Sequence, residues 1–180
     1  MPRFRSALLL CVSGSLWLAP AALADTAVPS DFNGDGFSDL LIGVPGKVID
    51  DQGFGDNEQG AAFVAYSNGS AISFSGEQYW HQNSSGVAGA SERNDFFARA
   101  MATGDFDNDG YSDAVFGVPG ENIDIPFPFT QYYDAGMINV VYGSPSGLNS
   151  SDTESFTQDT ANVLGGVETG DFFGSALAVG

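Results

Sequence analysis

The chain has 180 residues, 43% of them hydrophobic, and carries a formal charge of −18, with 23 acids against five bases. Such an acidic surface repels polyanions, which argues against nucleic acid or an anionic membrane as partner. A single cysteine, Cys11, leaves no internal disulfide to staple the fold.

The first segment reads as a leader. Arg3 and Arg5 precede an apolar run from residue 7 to 12 and the stretch Trp17-Leu18-Ala19-Pro20, and Ala22-Leu23-Ala24 then offers small residues before Asp25. This is the order of a secretory signal, with cleavage expected after Ala24. Ser13, Gly14, Ser15 and Pro20 break the run, which is short for a membrane span. Cys11 follows Leu10, not a small residue, so it does not read as a lipid attachment site. A mature chain of residues 25–180 is therefore expected outside the cell or in a periplasm, with no spanning segment. It keeps Lys47, Arg93 and Arg99 against all 23 acids, a net charge of −20.

Next comes Asp31-Phe32-Asn33-Gly34-Asp35-Gly36-Phe37-Ser38-Asp39, which recurs as Asp105-Phe106-Asp107-Asn108-Asp109-Gly110-Tyr111-Ser112-Asp113. Oxygen side chains at positions 1, 3, 5 and 9, with glycine at 6 where the chain must turn, suit a hard cation that takes six to eight oxygens, above all calcium. An EF-hand is excluded because position 12 is Ile42 or Phe116, both apolar, where a bidentate glutamate belongs. Each loop runs instead into a buried-strand pattern, Leu40-Leu41-Ile42-Gly43-Val44 or Ala114-Val115-Phe116-Gly117-Val118. The expected ligands are Asp31, Asn33, Asp35 and Asp39 in the first loop and Asp105, Asp107, Asp109 and Asp113 in the second. The backbone carbonyls of Phe37 and Tyr111 complete each set. With Asp107 in place of Asn33, the second loop carries more charge and is expected to bind more tightly.

The similarity extends beyond the loops. A shift of 76 residues carries Gly60 onto Gly136, Tyr66 onto Tyr142, Gln82 onto Gln158, Gly89 onto Gly165, Glu92 onto Glu168 and Asp95-Phe96-Phe97 onto Asp171-Phe172-Phe173. The loops are 74 apart, so two extra residues lie between 120 and 135. Such a repeat predicts an all-β fold. Each unit has four short strands: one into the loop from residue 98 to 103, one out of it, one from 136 to 142 and one near 154 to 158. Repeated four-stranded units suit propeller blades; a β-sandwich is the alternative.

Phe97-Ala98 through Gly104-Asp105, the aspartate loop and Gly117-Val118-Pro119, with Phe173-Gly174 opening a third copy, resemble the FG-GAP repeats of integrin α-subunit propellers and of many secreted bacterial proteins. Ala98 stands for the glycine of Phe-Gly, and Val44 and Val118 for the alanine of Gly-Ala-Pro. Both departures are read as small changes within a strand. The resemblance covers residues 31 to 180 and implies two blades and the start of a third, with two structural calcium sites. Since two blades cannot close a ring, the chain is expected to be the N-terminal part of a longer propeller, or one of several assembling chains.

No nucleophile set is legible: His81 is the sole histidine, its repeat counterpart is Thr157, and Gly143-Ser144-Pro145-Ser146-Gly147 reads as a turn. Asn68, Asn83 and Asn149 open short glycosylation patterns that carry little weight by themselves. Trp80, Tyr79, Phe127, Phe129, Tyr132 and Tyr133 offer aromatic surface for a protein or carbohydrate ligand. The segment from 121 to 135, with Pro126 and Pro128, is the expected partner loop. The resemblance implies an integrin-like adhesion or ligand-binding scaffold. The alternative is the accessory part of an exported hydrolase of the glycosylphosphatidylinositol-specific phospholipase D kind, whose catalytic residues this chain does not supply.

Overall fold

The computed structural model describes residues 28–49, 57–126 and 129–179; the expected leader, Phe127, Pro128 and Gly180 lie outside them. Among the described residues the fold is all β. Strands β1 (Leu40–Val44), β2 (Ala61–Ser67) and β3 (Ile72–Trp80) form one antiparallel sheet in that order. A second sheet has the order β4-β5-β8-β9, with β4 Met101–Gly104, β5 Asp113–Val118, β8 Met137–Tyr142 and β9 Asn149–Phe156. Between β5 and β8 the extra residues make a ribbon of β6 (Ile123–Pro126) and β7 (Phe129–Tyr132).

The second sheet is a complete four-stranded blade of the kind the repeat predicts. Among the described residues the first sheet has three strands, and residues 28–30, which lead into its loop, form a turn. Registers repeat between the sheets: Ile42 pairs with Phe63 as Phe116 pairs with Asn139, and each outer pairing shifts by a bulge, after Val64 and after Val141.

Hydrophobic burial joins the sheets. Ala62 and Val64 of β2, Ala114, Phe116 and Val118 of β5, and Phe32, Trp80, Phe97, Val141 and Leu148 belong to one cluster. Phe97 stacks on Phe116 with ring centroids 4.9 Å apart. The segment before β4 meets the residues just before β2 by backbone hydrogen bonds, Phe96 N–H to Glu58 O (3.1 Å) and Phe97 N–H to Gln59 O (2.9 Å). The same pair recurs as Phe172 N–H to Asp134 O (3.0 Å) and Phe173 N–H to Ala135 O (2.9 Å).

One reading from sequence needs correction. Ala98 does not lie in a strand: it sits in a tight turn at φ 62°, where the third copy has Gly174 at φ 85°. β4 starts only at Met101. The glycine of Phe-Gly therefore answers a left-handed backbone, which alanine adopts only at a cost of about 1–2 kcal/mol. Val44 and Val118 do close β1 and β5 as expected.

The turn after Phe173 presses on β5, so a methyl on Gly117 would meet the Gly174 carbonyl oxygen at 2.0 Å. Gly117→Ala is expected to cost about 1–3 kcal/mol, whereas Gly166→Ala, which has open space around it, should shift stability by less than about 0.5 kcal/mol. Urea midpoints of the two variants check this.

Candidate metal loops

Both nine-residue loops fold by the same side-chain to backbone hydrogen bonds. Asp31 accepts from the N–H of Asp35 (3.1 Å) and Gly36 (2.8 Å), as Asp105 does from Asp109 (3.0 Å) and Gly110 (2.9 Å). At position 3, Asn33 accepts from Asp35 N–H and Asp107 from Asp109 N–H. At position 5, Asp35 and Asp109 accept from the N–H of Phe37 and Tyr111, both at 3.0 Å. These are Asx turns in series, in which each acid offers an oxygen to the backbone just ahead of it.

Left-handed residues make the winding possible. Position 6 is Gly36 (φ 90°) or Gly110 (φ 96°), as expected, and position 4 is also left-handed, Gly34 at φ 71° and Asn108 at φ 61°. The signal for position 4 was present in the choice of glycine and asparagine, the residues that tolerate that region best.

In the second loop, Asp105, Asp107 and Asp109 each bring an oxygen within 4.8 Å of the others, with Asp105 half-buried and the other two exposed. Oxygens 2.3–2.6 Å from one ion lie at most about 5 Å apart, so the three fit a calcium-sized cation. The first loop has the same turns, with the Asn33 amide where Asp107 stands. Burial raises the Asp107 carboxyl above the ordinary range, and Asp109 and Asp105 add to the shift.

Position 9 does something that spacing did not reveal. Both oxygens of Asp39 accept backbone bonds, from Ser67 N–H (2.9 Å) at the end of β2 and Phe32 N–H (3.0 Å). Asp113 repeats this with Gly143 N–H (2.8 Å) just past β8 and Phe106 N–H (2.7 Å). The ninth aspartate thus clasps its loop to the neighbouring strand. Each oxygen keeps a second lone pair, so the clasp and a ligand role are compatible. Burial raises Asp39 and pushes Asp113 up to about 7, against the lowering effect of their N–H bonds.

The position 7 residues pack differently. Phe37 covers Gly69 in its own unit, whereas Tyr111 covers Gly34, so a methyl there would meet its ring at 2.5 Å. Ser112 N–H donates to Asp31 O (2.9 Å), which brings the two loops into direct contact. At position 2, Phe32 is buried under the second unit while Phe106 is 46% exposed.

Of the aromatic residues expected to offer a ligand surface, Phe127 lies outside the described residues. Trp80 is buried in the core, Tyr79 pairs with Phe63 at 4.8 Å, and Tyr133 is exposed. His81 packs tilted against Tyr79 with centroids 5.0 Å apart, and burial lowers its pKa, in keeping with a packing role. No helix among the described residues is long and apolar enough to cross a membrane.

The FG-GAP repeat family matches residues 24–64 and 97–147, just over half of the chain. Among curated proteins, phosphatidylinositol-glycan-specific phospholipase D of Dictyostelium discoideum is 29% identical over 83% of this chain and 15% of its own length. Mouse integrin alpha-8 is 29% identical over 72% of this chain and 10% of its own. The rat phospholipase D is 33% identical over 44% of this chain and 8% of its own. The chain therefore spans a small part of the relatives it matches.

If position 9 is a clasp, Asp113→Ala should cost about 2–4 kcal/mol even in chelator, since it removes two hydrogen bonds to a charged group, while Asp109→Ala in chelator should be close to neutral. Chemical denaturation separates them. A pH dependence also follows. Burial lifts Asp95 to about 7, Glu121 to about 8 and Asp113 to about 7. Raised carboxyls stabilise the fold fully below their unfolded values near 4, and this contribution is lost as pH rises through 7 to 8. In chelator the melting temperature should therefore rise by several degrees from pH 8.5 to pH 5.5, followed by differential scanning fluorimetry.

Proposed function

Because the chain belongs to the FG-GAP repeat family, we propose that it is an exported binding scaffold whose propeller blades are held by structural calcium, as in an integrin-like adhesion module. The observation that carries this reading is the same bonded loop occurring twice, with Asp105, Asp107 and Asp109 converging in the second copy. Asp31, Asn33 and Asp35 would hold the ion of the first loop with Asp39, and Asp105, Asp107, Asp109 and Asp113 that of the second. The carbonyls of Phe37 and Tyr111 would complete them. Calcium supplies counter-charge here: it relieves repulsion among acids crowded into nine residues and locks the turn between two strands.

Outside the cell calcium is abundant enough to fill sites of about 0.1–1 mM. A protein or carbohydrate ligand would meet the β6–β7 ribbon, which departs from the repeat, and exposed Tyr133 in the turn just after it. The second reading, an accessory part of an exported hydrolase, is favoured by the match of the Dictyostelium phospholipase D to 83% of the chain.

Calorimetric titration with calcium tests the metal reading. Two binding events are expected, one lost in Asp35→Ala and the other in Asp109→Ala, each raising the melting temperature. Asp107→Asn should weaken the second site toward the first by several-fold. A folded chain that takes up no calcium would overturn the proposal. Binding to glycan and extracellular-protein arrays, compared with Tyr133→Ala, then tests the ribbon.

A further inference from the structure

A second group of acids lies away from the loops, where the first repeat meets the second. Asp95 is fully buried, Gln82 is 2% exposed and Glu121 is 7% exposed. Gln82 Nε2 donates to Glu121 Oε2 at 2.5 Å, which places the amide against the carboxylate. Gly120 N–H donates to the Asp95 carbonyl at 3.1 Å, so the residue before Glu121 is fixed on Asp95. A methyl on Gly89 would come within 2.4 Å of Gln82 Nε2 and 3.1 Å of both Glu121 oxygens, so only glycine leaves this space open.

Two oxygens in this group are buried without a hydrogen-bond partner, Asp95 Oδ1 and Gln82 Oε1. The other Asp95 oxygen accepts from Glu92 N–H. The charges acting on Asp95 are those of Glu92 and Asp134, and the charges acting on Glu121 are those of Asp95, Glu92 and Asp124, all acidic. Lys47, Arg93 and Arg99 are exposed. Two buried carboxyls with no basic neighbour, beside an orphaned carboxylate oxygen on Asp95 and an orphaned amide oxygen on Gln82, are costly unless a proton or a cation joins them. The fold does not force an acid here: Lys47 holds the place of Glu121 in the first unit, and Gly60 N–H bonds its carbonyl as Gly136 N–H bonds that of Glu121. The third copy keeps Gln158 and Asp171, and Gln158 Oε1 is again buried without a partner.

We propose that Gln82, Asp95 and Glu121 form a cation site between the first and second repeats, separate from the aspartate loops and suited to a hard divalent ion. Carboxylate and amide oxygens are the donors such an ion takes, and a charge of two matches two carboxylates. Bound there, the ion would join a loop of one repeat to the start of the next. The inference stands apart from the loop reading and is tested apart from it.

Equilibrium dialysis of the full chain with radioactive calcium at pH 7.5 counts the ions. Wild type should hold one ion more than Glu121→Gln and one more than Asp95→Asn. The double variant Asp35→Ala/Asp109→Ala should keep one ion, and lose it when Glu121→Gln is added. Equal counts in wild type and in a folded Glu121→Gln or Asp95→Asn would overturn the site. So would equal counts with both variants more stable than wild type in chelator, the outcome expected if a proton or a water fills the space. Circular dichroism establishes folding, and should the loop variant not fold, the comparison of wild type with the two single variants decides.

Discussion

Each sheet is joined to the repeat after it through the backbone. Phe96 and Phe97 donate to Glu58 and Gln59, and Phe172 and Phe173 donate to Asp134 and Ala135. These main-chain bonds fix the distance between consecutive units before any side chain is considered. Much else depends on that distance. It places Phe97 on Phe116, permits only glycine at position 117, and sets Gly120 against Asp95. A backbone approach this close cannot be relaxed by choosing another rotamer, which is why glycine marks it.

The aspartate loops hang from this frame through their last residue. Asp39 and Asp113 each spend one oxygen on the loop and one on the end of the next strand. The first three acids can then converge because their backbone is already wound by the N–H bonds they accept. The loops also touch: Tyr111 covers Gly34, and Ser112 bonds the Asp31 carbonyl. Order in one loop therefore bears directly on the shape of its neighbour.

Acid placement divides into two kinds. In the loops Asp35, Asp107 and Asp109 are open to solvent and held by local turns, while Asp39 and Asp113 are buried. At the junction between repeats, Asp95 and Glu121 are buried and their neighbours come from distant parts of the chain. Both arrangements concentrate negative charge in a protein with few basic residues, and both make stability depend on what neutralises that charge.

Sequence by itself determined the repeat, the strand pattern within it and the composition of the loops. These rest on local properties: alternation of apolar residues, glycine at a turn, and side chains offering oxygen at positions 1, 3, 5 and 9. It could not separate the ninth aspartate from the other ligands, because the partners of Asp39 and Asp113 at Ser67 and Gly143 lie 28 and 30 residues away. For the same reason Ala98 read as a strand residue, although a turn imposed by the packing of Phe97 gives it a left-handed backbone. The β6–β7 ribbon read as a loop because Pro126 and Pro128 interrupt its pattern, while pairing from Ile123 to Tyr132 outweighs them. Tertiary structure alone decided which aromatic residues are buried and brought Gln82 to Glu121 across 39 residues, since burial and pairing at that separation depend on where the whole chain returns.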